Sequence, residues 1–258
     1  MPEGDTIARA AARIRATIEG KVPDSIATPQ RRHARDRWPE RLSGRRVDEI
    51  RTHGKHLFID FEGGLTIHSH LRMTGSWTVS DGNSRQRRAR SRAWLEIRSA
   101  ERVVTEFDGP VLELMTRSRS RSDSRIASLG PDVLAEEFNG ERFLRRLRED
   151  DPTRGFGDAL LDQRTIAGIG NIWKAETCWG AGIDPWRPLS EITDAEALES
   201  IELVRPRMQA SASGVEERSD RGVYRREGRA CRRCGEKIRA KGQGDDNRIT
   251  WWCPGCQR

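Results

Sequence analysis

Four cysteines near the end of the sequence restrict the fold more than any other feature. They form two pairs, Cys231-x-x-Cys234 and Cys253-x-x-Cys256, with 18 residues between the pairs. Two thiolates that are two residues apart can wrap one side of a metal ion, and two such pairs complete a tetrahedral zinc site. Four protein ligands leave no open coordination position. The spacing therefore predicts one structural zinc ion and not a catalytic one.

The residues around these cysteines support a small metal-stapled hairpin. Gly235 and Gly255 are expected to let the backbone turn toward the metal. The stretch 247–252 (NRITWW) predicts a β-hairpin with a basic tip and tryptophans packed behind it. Arg248 is the candidate for a phosphate contact at this tip, with an ordinary surface arginine as the alternative. Cys178 lies in a predicted helix and is expected to pack in a core.

The positive charge of the chain is concentrated at the same end. The 258 residues carry 47 Lys and Arg against 40 Asp and Glu, a net charge of +7. Residues 221–258 contain 11 basic and 4 acidic residues, so this segment holds the whole excess. Such a distribution predicts a module that binds a polyanion, although a solvated basic tail also fits it.

The sequence gives no sign of a membrane or secreted protein. No apolar run approaches the roughly 20 residues that span a bilayer, and the first residues lack a basic and hydrophobic leader. We therefore expect a cytoplasmic protein. In that compartment, five cysteines favour metal binding or packing over disulfide bonds.

The residue pattern predicts an α+β protein with two lobes. Residues 5–19 show a helical apolar stripe, and six short segments with alternating apolar residues predict an antiparallel sandwich or barrel. These segments are 47–50, 57–61, 65–67, 77–79, 95–97 and 103–107. Helical spacing begins at Val133 and continues to Leu147, and further helices are predicted near 158–163, 171–181 and 191–213.

Two arginine-rich stretches and four domain limits complete the predicted layout. Residues 85–92 are expected to form a hairpin loop, and residues 117–125 (RSRSRSDSR) a mobile linker. Either stretch could contact phosphate, or simply be solvated. The predicted domains are a β-sandwich at 1–118, a linker at 119–131, a helical domain at 132–220 and a zinc finger at 221–258.

A glycine-rich turn precedes one of the predicted helices. Gly168 and Gly170 are expected to let the chain turn and expose its amides, and Asn171 to cap the helix that follows. Free amides at a helix N-terminus form an anion site. An ordinary turn between two helices is the alternative.

Taken together, these features resemble one family, that of the bacterial formamidopyrimidine-DNA glycosylases and endonuclease VIII enzymes. The resemblance covers nearly the whole chain and rests on seven elements in the same order. They are Pro2-Glu3-Gly4, His53-Gly54-Lys55, Ser69 to Gly75 (SHLRMTG), Leu129 to Asp132 (LGPD), Ile166 to Asn171 (IAGIGN), Tyr224 to Gly228 (YRREG) and the four-cysteine finger.

The resemblance implies a β-sandwich with a flanking helix, a helix–two-turn–helix domain and a zinc-finger hairpin, with damaged double-stranded DNA between the lobes. It implies a monomeric enzyme of bacterial base excision repair, associated with the nucleoid. It also assigns roles to individual residues. Pro2 matches the nucleophile, Glu3 the acid/base carboxylate, and Lys55 the lysine that assists elimination and contacts phosphate. Asn171 matches the phosphate-binding asparagine of the glycine turn, and Arg248 matches the zinc-finger arginine, which is both a catalytic and a DNA-binding residue.

The chemistry explains why an N-terminal proline suits this role. An α-amino group has a pKa of about 7.7–8.0 against about 10.4 for lysine, so more of it is uncharged near neutrality. Once Met1 is removed, the Pro2 amine could attack the sugar C1′, release the base and leave an iminium ion. The iminium makes elimination and strand cleavage easy, while Glu3 moves protons at the sugar.

A glycosylase must also fill the gap left when the damaged base leaves the stack. Arg72 and Met73 are the candidates for this role, with Met73 as a flexible wedge. The alternative for Met73 is a core position at a strand end. His68 and His70 share a strand face and are expected to pack and to form hydrogen bonds.

The lesion class rests on the two branches of the family. The opening Pro2 to Thr6 (PEGDT) and the ending Trp251 to Gln257 (WWCPGCQ) resemble endonuclease VIII, which favours oxidised pyrimidines. The stretch Leu71 to Gly75 is closer to the oxidised-purine branch. We expect pyrimidine lesions, with oxidised purines as the alternative. A damaged-DNA-binding protein without catalysis and a zinc-ribbon RNA or transcription factor are less consistent with the N-terminal motifs.

Overall fold

The computed structural model describes residues 2–30, 33, 36–82, 90–215 and 221–258. They form two compact units. One contains Pro2 and Thr6–Ala127, and the other contains Glu3–Asp5 and Ser128–Arg258. Strands dominate the first and helices the second, so the α+β prediction is confirmed. The four domain limits stay predictions. No helix among the described residues has the length and apolar character needed to cross a bilayer.

The first unit is a sandwich of two antiparallel four-stranded sheets. One sheet has the order β1-β6-β7-β5 and the other β2-β3-β4-β8. The strands are β1 (Ser25–Ala27), β2 (Val47–His53), β3 (His56–Phe61), β4 (Leu65–His70), β5 (Ser76–Asp81), β6 (Ala93–Ser99), β7 (Arg102–Phe107) and β8 (Val111–Thr116). All six predicted strands are present, and the prediction missed β1 and β8.

The sandwich is accompanied by α1 (Gly4–Ile18) and the short α2 (Trp38–Leu42). The apolar stripe of α1 consists of Ile7, Ala11, Ile14 and Ile18, which are 0–1% exposed. These side chains share one core with residues of both sheets. The helix predicted at 5–19 is therefore confirmed, and its apolar face closes the core.

The arginine-serine segment is helical where the sequence predicted a mobile linker. It forms α3 (Arg117–Ser122) and α4 (Ser124–Ala127). Thr116 caps α3 by accepting a hydrogen bond from the Arg119 amide at 3.1 Å. The Arg117 guanidinium binds Asp48 at 3.1 Å, and the buried Ser120 hydroxyl accepts from Arg51 at 3.0 Å. These side-chain anchors give a low-complexity segment a fixed conformation.

The other arginine-rich stretch, predicted as a loop at 85–92, lies mostly outside the described residues. Its end forms a short 3-10 turn, Arg90–Arg92. The Arg92 Nε donates to Asp108 Oδ1 at 3.1 Å, so this arginine is paired within the unit.

The described residues of the second unit form several α-helices and a hairpin. They are α5 (Gly140–Arg148), α6 (Phe156–Ala159), α7 (Asn171–Ala181), α8 (Asp194–Ser213), β9 (Arg239–Gln243) and β10 (Arg248–Trp252). The limits predicted for α7 are confirmed. Helix α8 begins after a capping box of Thr193 and Glu196. The helical prediction was wrong for residues 133–138, which form turns, bends and irregular backbone. The helix predicted near 158–163 ends earlier, because α6 stops at Ala159.

The predicted hairpin at the basic end is also confirmed. Strands β9 and β10 pair antiparallel, with Gln243 opposite Arg248 and Thr250 opposite Lys241. The Trp251 ring packs against Tyr224 and the Trp252 ring against Trp186, both with centroids 4.6 Å apart. Because an isolated two-stranded hairpin is marginal in water, its order depends on these contacts and on the cysteine cluster.

Candidate active site and metal centre

Lys55 lies at the tip of a tight hairpin in the first unit. Strands β2 and β3 pair as far as His53 and His56, which leaves Gly54 and Lys55 as a two-residue turn. Gly54 has a φ of 57° while Lys55 stays outside the positive region, the pattern of a type II′ turn. Glycine is the favoured residue at this first position. The turn therefore explains the spacing of His53-Gly54-Lys55 and places Lys55 where strands β2 and β3 are joined.

The loop after β4 is held in a defined shape. The Gly75 amide donates to the Leu71 carbonyl at 2.9 Å, and the Thr74 hydroxyl donates to the Asp108 carbonyl at 3.1 Å. Arg72 adopts a φ of 44°, and its amide donates to His70 Nδ1 at 3.3 Å. Met73 is 67% exposed, so the alternative of a core methionine is wrong. An exposed thioether on an ordered loop suits the wedge role, which stays a prediction.

Three histidines form a stack beside the Lys55 turn. His56 Nδ1 lies 2.8 Å from His68 Nε2, and the ring centroids of His56 and His70 are 4.6 Å apart. His68 Nδ1 lies 3.5 Å from the Glu113 carboxylate. The expectation that His68 and His70 pack and form hydrogen bonds agrees with these contacts. Sequence reasoning missed His56, although it follows Lys55 directly and pairs with His70 across β3 and β4.

Burial keeps this stack uncharged. It lowers the pKa of His56 from 6.5 to about 2, assisted by the neighbouring histidines His70 and His68. Burial also lowers the pKa of His70 to about 4, with a further contribution from the Lys55 ammonium. Both rings are therefore neutral near pH 7. Neutral rings add no positive charge next to Lys55 and can accept hydrogen bonds, as His70 does from Arg72.

Glu3 is fully buried and anchored by the turn that precedes α7. Its Oε1 accepts from the Ile172 amide at 2.8 Å, and its Oε2 accepts from Gly170 at 3.1 Å and Trp173 at 3.2 Å. Three N–H donors at a helix N-terminus stabilise a negative charge. The prediction that these amides form an anion site is thus met by the chain's own carboxylate.

Gly168 and Gly170 are each required to be glycine, but for different physical reasons. Gly168 has a φ of 105°, a conformation that suits glycine. Gly170 is extended, but a Cβ there would come within 2.4 Å of the Glu3 carboxyl carbon. The close approach of Glu3 therefore requires glycine at position 170. The turn is therefore shaped to receive one carboxylate.

Asn171 does not cap the helix, which corrects the sequence prediction. Gly170 is the N-cap, and Asn171 is the first helical residue. Its Nδ2 donates to the Ile249 carbonyl of β10 at 2.8 Å. The adjacent Arg248 side chain is 43% exposed and pairs with Asp246 at 3.1 Å. Asn171 and Arg248 therefore lie close together at one end of the second unit.

The four cysteines of the two pairs converge on one point. Their Sγ atoms lie within 4.8 Å of one another, with Cys234 and Cys253 3.4 Å apart and Cys231 and Cys256 3.8 Å apart. Sulfurs around a tetrahedral zinc ion with bonds of about 2.3 Å are separated by about 3.8 Å. The donor set and its spacing fit a single metal ion.

Two glycines shape the backbone beside the four cysteines, and the fifth cysteine lies elsewhere. Gly235 has a φ of 80°, so its turn needs glycine. Gly255 instead leaves room for sulfur, because a Cβ would lie 3.1 Å from Cys234 Sγ. Cys178 is fully buried, and burial raises the pKa of its thiol to about 12. It therefore packs in the helical core and stays a thiol.

Two family models match this chain. The formamidopyrimidine-DNA glycosylase N-terminal domain matches residues 1–115, and the formamidopyrimidine-DNA glycosylase H2TH domain matches residues 129–216. The first range contains Pro2, Glu3 and Lys55, and the second contains the glycine turn. Together the two models account for more than half of the sequence.

Relatives align over essentially full length. A protein of Streptomyces coelicolor named probable endonuclease 8 2 is 38% identical and is covered over 94% of its length. A Mycolicibacterium smegmatis protein named DNA-(apurinic or apyrimidinic site) lyase Nei2 is 37% identical and is covered over 99%. Both alignments use 100% of this chain.

Solved structures show the same fold. Lactococcus lactis Fpg (MutM) in complex with DNA containing N7-benzyl-Fapy-dG superimposes with a TM-score of 0.85 at 22% identity. The Lactococcus lactis Fpg complex with abasic-site DNA has the same score, and both chains are covered completely. The family models, the full-length relatives and the shared fold agree: the chain belongs to the formamidopyrimidine-DNA glycosylase and endonuclease VIII family.

Proposed function

We propose that this chain is a bifunctional DNA glycosylase and abasic-site lyase that removes oxidised bases, with pyrimidines preferred. The observation that carries the proposal is the anchoring of Glu3. A buried carboxylate held by three backbone amides is fixed in position, and Pro2 is joined directly to it. An N-terminus without such contacts would not hold an amine and a carboxylate in fixed positions. Relatives named endonuclease 8 and abasic-site lyase support the same activity.

The proposed reaction begins with the amine of Pro2, after removal of Met1. Its lone pair attacks C1′ of the damaged nucleoside, the bond from C1′ to the base breaks, and the base leaves with the bonding electrons and a proton. The nitrogen loses its proton, the bond from C1′ to O4′ breaks so that the sugar ring opens, and O4′ takes up a proton while the nitrogen lone pair forms an iminium ion with C1′. Loss of the C2′ proton expels the 3′ phosphate, and a second elimination expels the 5′ phosphate. Each elimination is easier because the iminium accepts the electron pair.

Glu3 and Lys55 handle protons and charge in this scheme. Glu3 moves a proton at the sugar, because its carboxylate is held beside the nucleophile. Lys55 projects from the two-residue turn, where its ammonium can stabilise a phosphate and assist its departure. The neutral histidine stack adds no further positive charge beside Lys55. Arg248 would add a second cation at the hairpin tip.

The remaining site residues would hold the DNA. Asn171 and Arg248 lie together and offer an amide and a guanidinium to the backbone phosphates, which fix register without reading sequence. Arg72 and Met73 would enter the space left by the flipped base. The partner is double-stranded DNA with a damaged base or an abasic site. The enzyme would act as a monomer in the bacterial cytoplasm, associated with the nucleoid.

Zinc is the metal that best suits the cysteine cluster. Four thiolates in a tetrahedral arrangement favour zinc over hard cations, which prefer oxygen ligands. Cys231, Cys234, Cys253 and Cys256 would hold one zinc ion in a closed, structural site. The ion would staple the base of the β9–β10 hairpin and take no part in the chemistry.

The lesion preference has one competing candidate, an oxidised-purine glycosylase. It is favoured by the sequence Leu71 to Gly75, which is closer to the purine branch. The pyrimidine preference is supported by the N-terminal Pro2 to Thr6 and by relatives named endonuclease 8. The loop is one element, whereas the relatives' similarity extends along the whole chain.

A panel of duplexes, each with one defined lesion, tests this proposal. Thymine glycol and 5-hydroxyuracil should be excised at least about tenfold faster than 8-oxoguanine and formamidopyrimidine, because a pocket that hydrogen-bonds one base class rejects the other. An abasic duplex should be nicked without a base to remove. The reverse order would establish the purine alternative. Absence of nicking at the abasic site would contradict the proposed lyase activity.

A further inference from the structure

A buried lysine in the second unit has no role in the proposed reaction. Lys174 lies one turn into α7, and its side chain is 0% exposed. Of the described residues, no carboxylate lies within ion-pair distance of its Nζ. Burial lowers the pKa of this amine from 10.5 to about 8. A lysine is rarely placed in a core without a specific set of partners.

The partners of Lys174 are two side chains of the hairpin. Its Nζ donates to Thr250 Oγ1 of β10 and lies 3.3 Å from Gln243 Oε1 of β9. The Thr250 hydroxyl donates in turn to Gln243 Oε1 at 2.8 Å. Gln243 Nε2 donates to the Pro185 carbonyl, 2.6 Å away. Lys174, Thr250 and Gln243 form a closed polar triad that spans helix α7 and both strands.

This triad lies next to Arg248. Gln243 is the residue directly opposite Arg248, and Thr250 follows Arg248 by two residues. Side chains alternate along a strand, so Arg248 and Thr250 project to the same face. The residue between them, Ile249, has its carbonyl held by Asn171. Helix α7 thus holds β10 at two successive residues, each within two positions of Arg248.

The metal centre cannot provide this anchoring by itself. Cys253 is five residues from Arg248, which corresponds to about 16 Å along a strand. A two-stranded hairpin is weakly stable, so its tip can move even when its base is stapled. The tip contains Gly244 and Asn247 in left-handed conformations and no apolar core of its own. The Lys174 triad anchors the hairpin next to this tip, at Gln243 and Thr250.

We propose that Lys174 is a positioning residue, which acts through Thr250 and Gln243 to fix Arg248 at a preset spacing from Asn171. A duplex then meets two phosphate-binding groups that need no ordering on contact, which lowers the entropic cost of binding. This inference rests on the proposed function, because it assumes that Arg248 and Asn171 contact backbone phosphates. Lys174 itself stays in the core and touches no DNA.

The test combines Thr250→Val and Lys174→Met with Arg248→Ala in double-mutant cycles. The readout is the dissociation constant of a duplex with a stable abasic analogue, measured over a range of salt concentrations. Valine keeps the shape and strand preference of threonine and leaves the net charge unchanged. We expect Thr250→Val to weaken binding by about tenfold, the effect of losing one charged hydrogen bond. The slope of log K against log salt should fall by about 0.9, the value for one phosphate contact.

The cycle separates positioning from a general effect. In the Arg248→Ala background, Thr250→Val and Lys174→Met should each add less than about twofold, because the contact that they support is already absent. Lys241→Met is the matched control. It removes one positive charge from an exposed residue of the same hairpin that is not part of the triad, and its effect should add to that of Arg248→Ala. Thermal melting and metal content identify any variant that has lost its fold.

Two results would overturn the inference. One is binding of Thr250→Val equal to that of the unmodified protein, with an unchanged salt slope. The other is an effect of Thr250→Val that adds fully to that of Arg248→Ala. Failure of the proposed function is distinguishable, because in that case the unmodified protein itself would show no preference for the abasic duplex.

Discussion

Replacing Glu3 with glutamine is expected to lower base excision by roughly 10²–10⁴-fold, the range that general acid–base catalysis contributes. The amide cannot exchange protons as a carboxylate does. It also points an NH2 group at backbone amides that donate to Glu3, namely Gly170, Ile172 and Trp173. An abasic site has already lost its base, so nicking of abasic DNA should decline much less than excision. Single-turnover assays on lesion and abasic duplexes measure the two steps separately.

Glu176 provides a matched control for the structural part of this effect. Its buried carboxylate also accepts three backbone amides of the same unit, those of Gly222, Val223 and Tyr224, at 2.8–3.0 Å. Glu176→Gln therefore creates a similar clash of donors away from Pro2. Both variants should melt at lower temperature, but only Glu3→Gln should lose excision selectively. Equal losses of excision and nicking in Glu3→Gln would mean that Glu3 is structural.

Removal of the metal is expected to abolish tight DNA binding. Structural zinc contributes about 10–16 kcal/mol in isolated zinc-finger peptides, far more than a two-stranded hairpin supplies. Without the ion, nothing joins the four cysteine side chains, and the small core of Val223 and Ile238 loses its covering hairpin. Arg248 is then no longer presented to a phosphate. We expect the dissociation constant for an abasic duplex to rise by at least about 100-fold.

The metal prediction is measured with a strong chelator and with Cys231→Ser, using metal analysis and DNA binding as readouts. Added Zn²⁺ should restore binding after chelation but not in Cys231→Ser. Cys178→Ala is the control, since Cys178 is buried in the helical core and lies outside the cysteine cluster. It should retain the metal and bind normally. Unchanged binding by the metal-free protein would mean that the metal ion is not needed to hold the β9–β10 hairpin in place.

Features with short-range sequence signals were predicted well. The cysteine cluster follows from the spacing within each pair. Helix α7 begins where its glycine turn ends and stops at Gly182, which is left-handed with a φ of 73°. In each case the residues that decide the structure lie within a few positions of one another.

Features that depend on distant partners were not predictable in the same way. Glu3 meets its amide donors across 167–170 positions, so the sequence showed an anion site but not the anion. Asn171 resembled a helix cap because its carbonyl partner, Ile249, is 78 positions away. Residues 117–125 were assigned to a linker from composition, whereas their helices depend on Asp48 and Arg51. Tertiary contacts override local propensity at these places.

Borohydride trapping identifies the nitrogen that bonds to the sugar, which we propose is the amine of Pro2. The protein is incubated with an abasic duplex in the presence of borohydride, digested, and the DNA-linked peptide is identified by mass spectrometry. We expect a reduced adduct on the nitrogen of Pro2 after removal of Met1, and no adduct when one extra residue precedes Pro2. An adduct on Lys55 or another lysine, or full-speed nicking by the extended protein, would contradict this expectation.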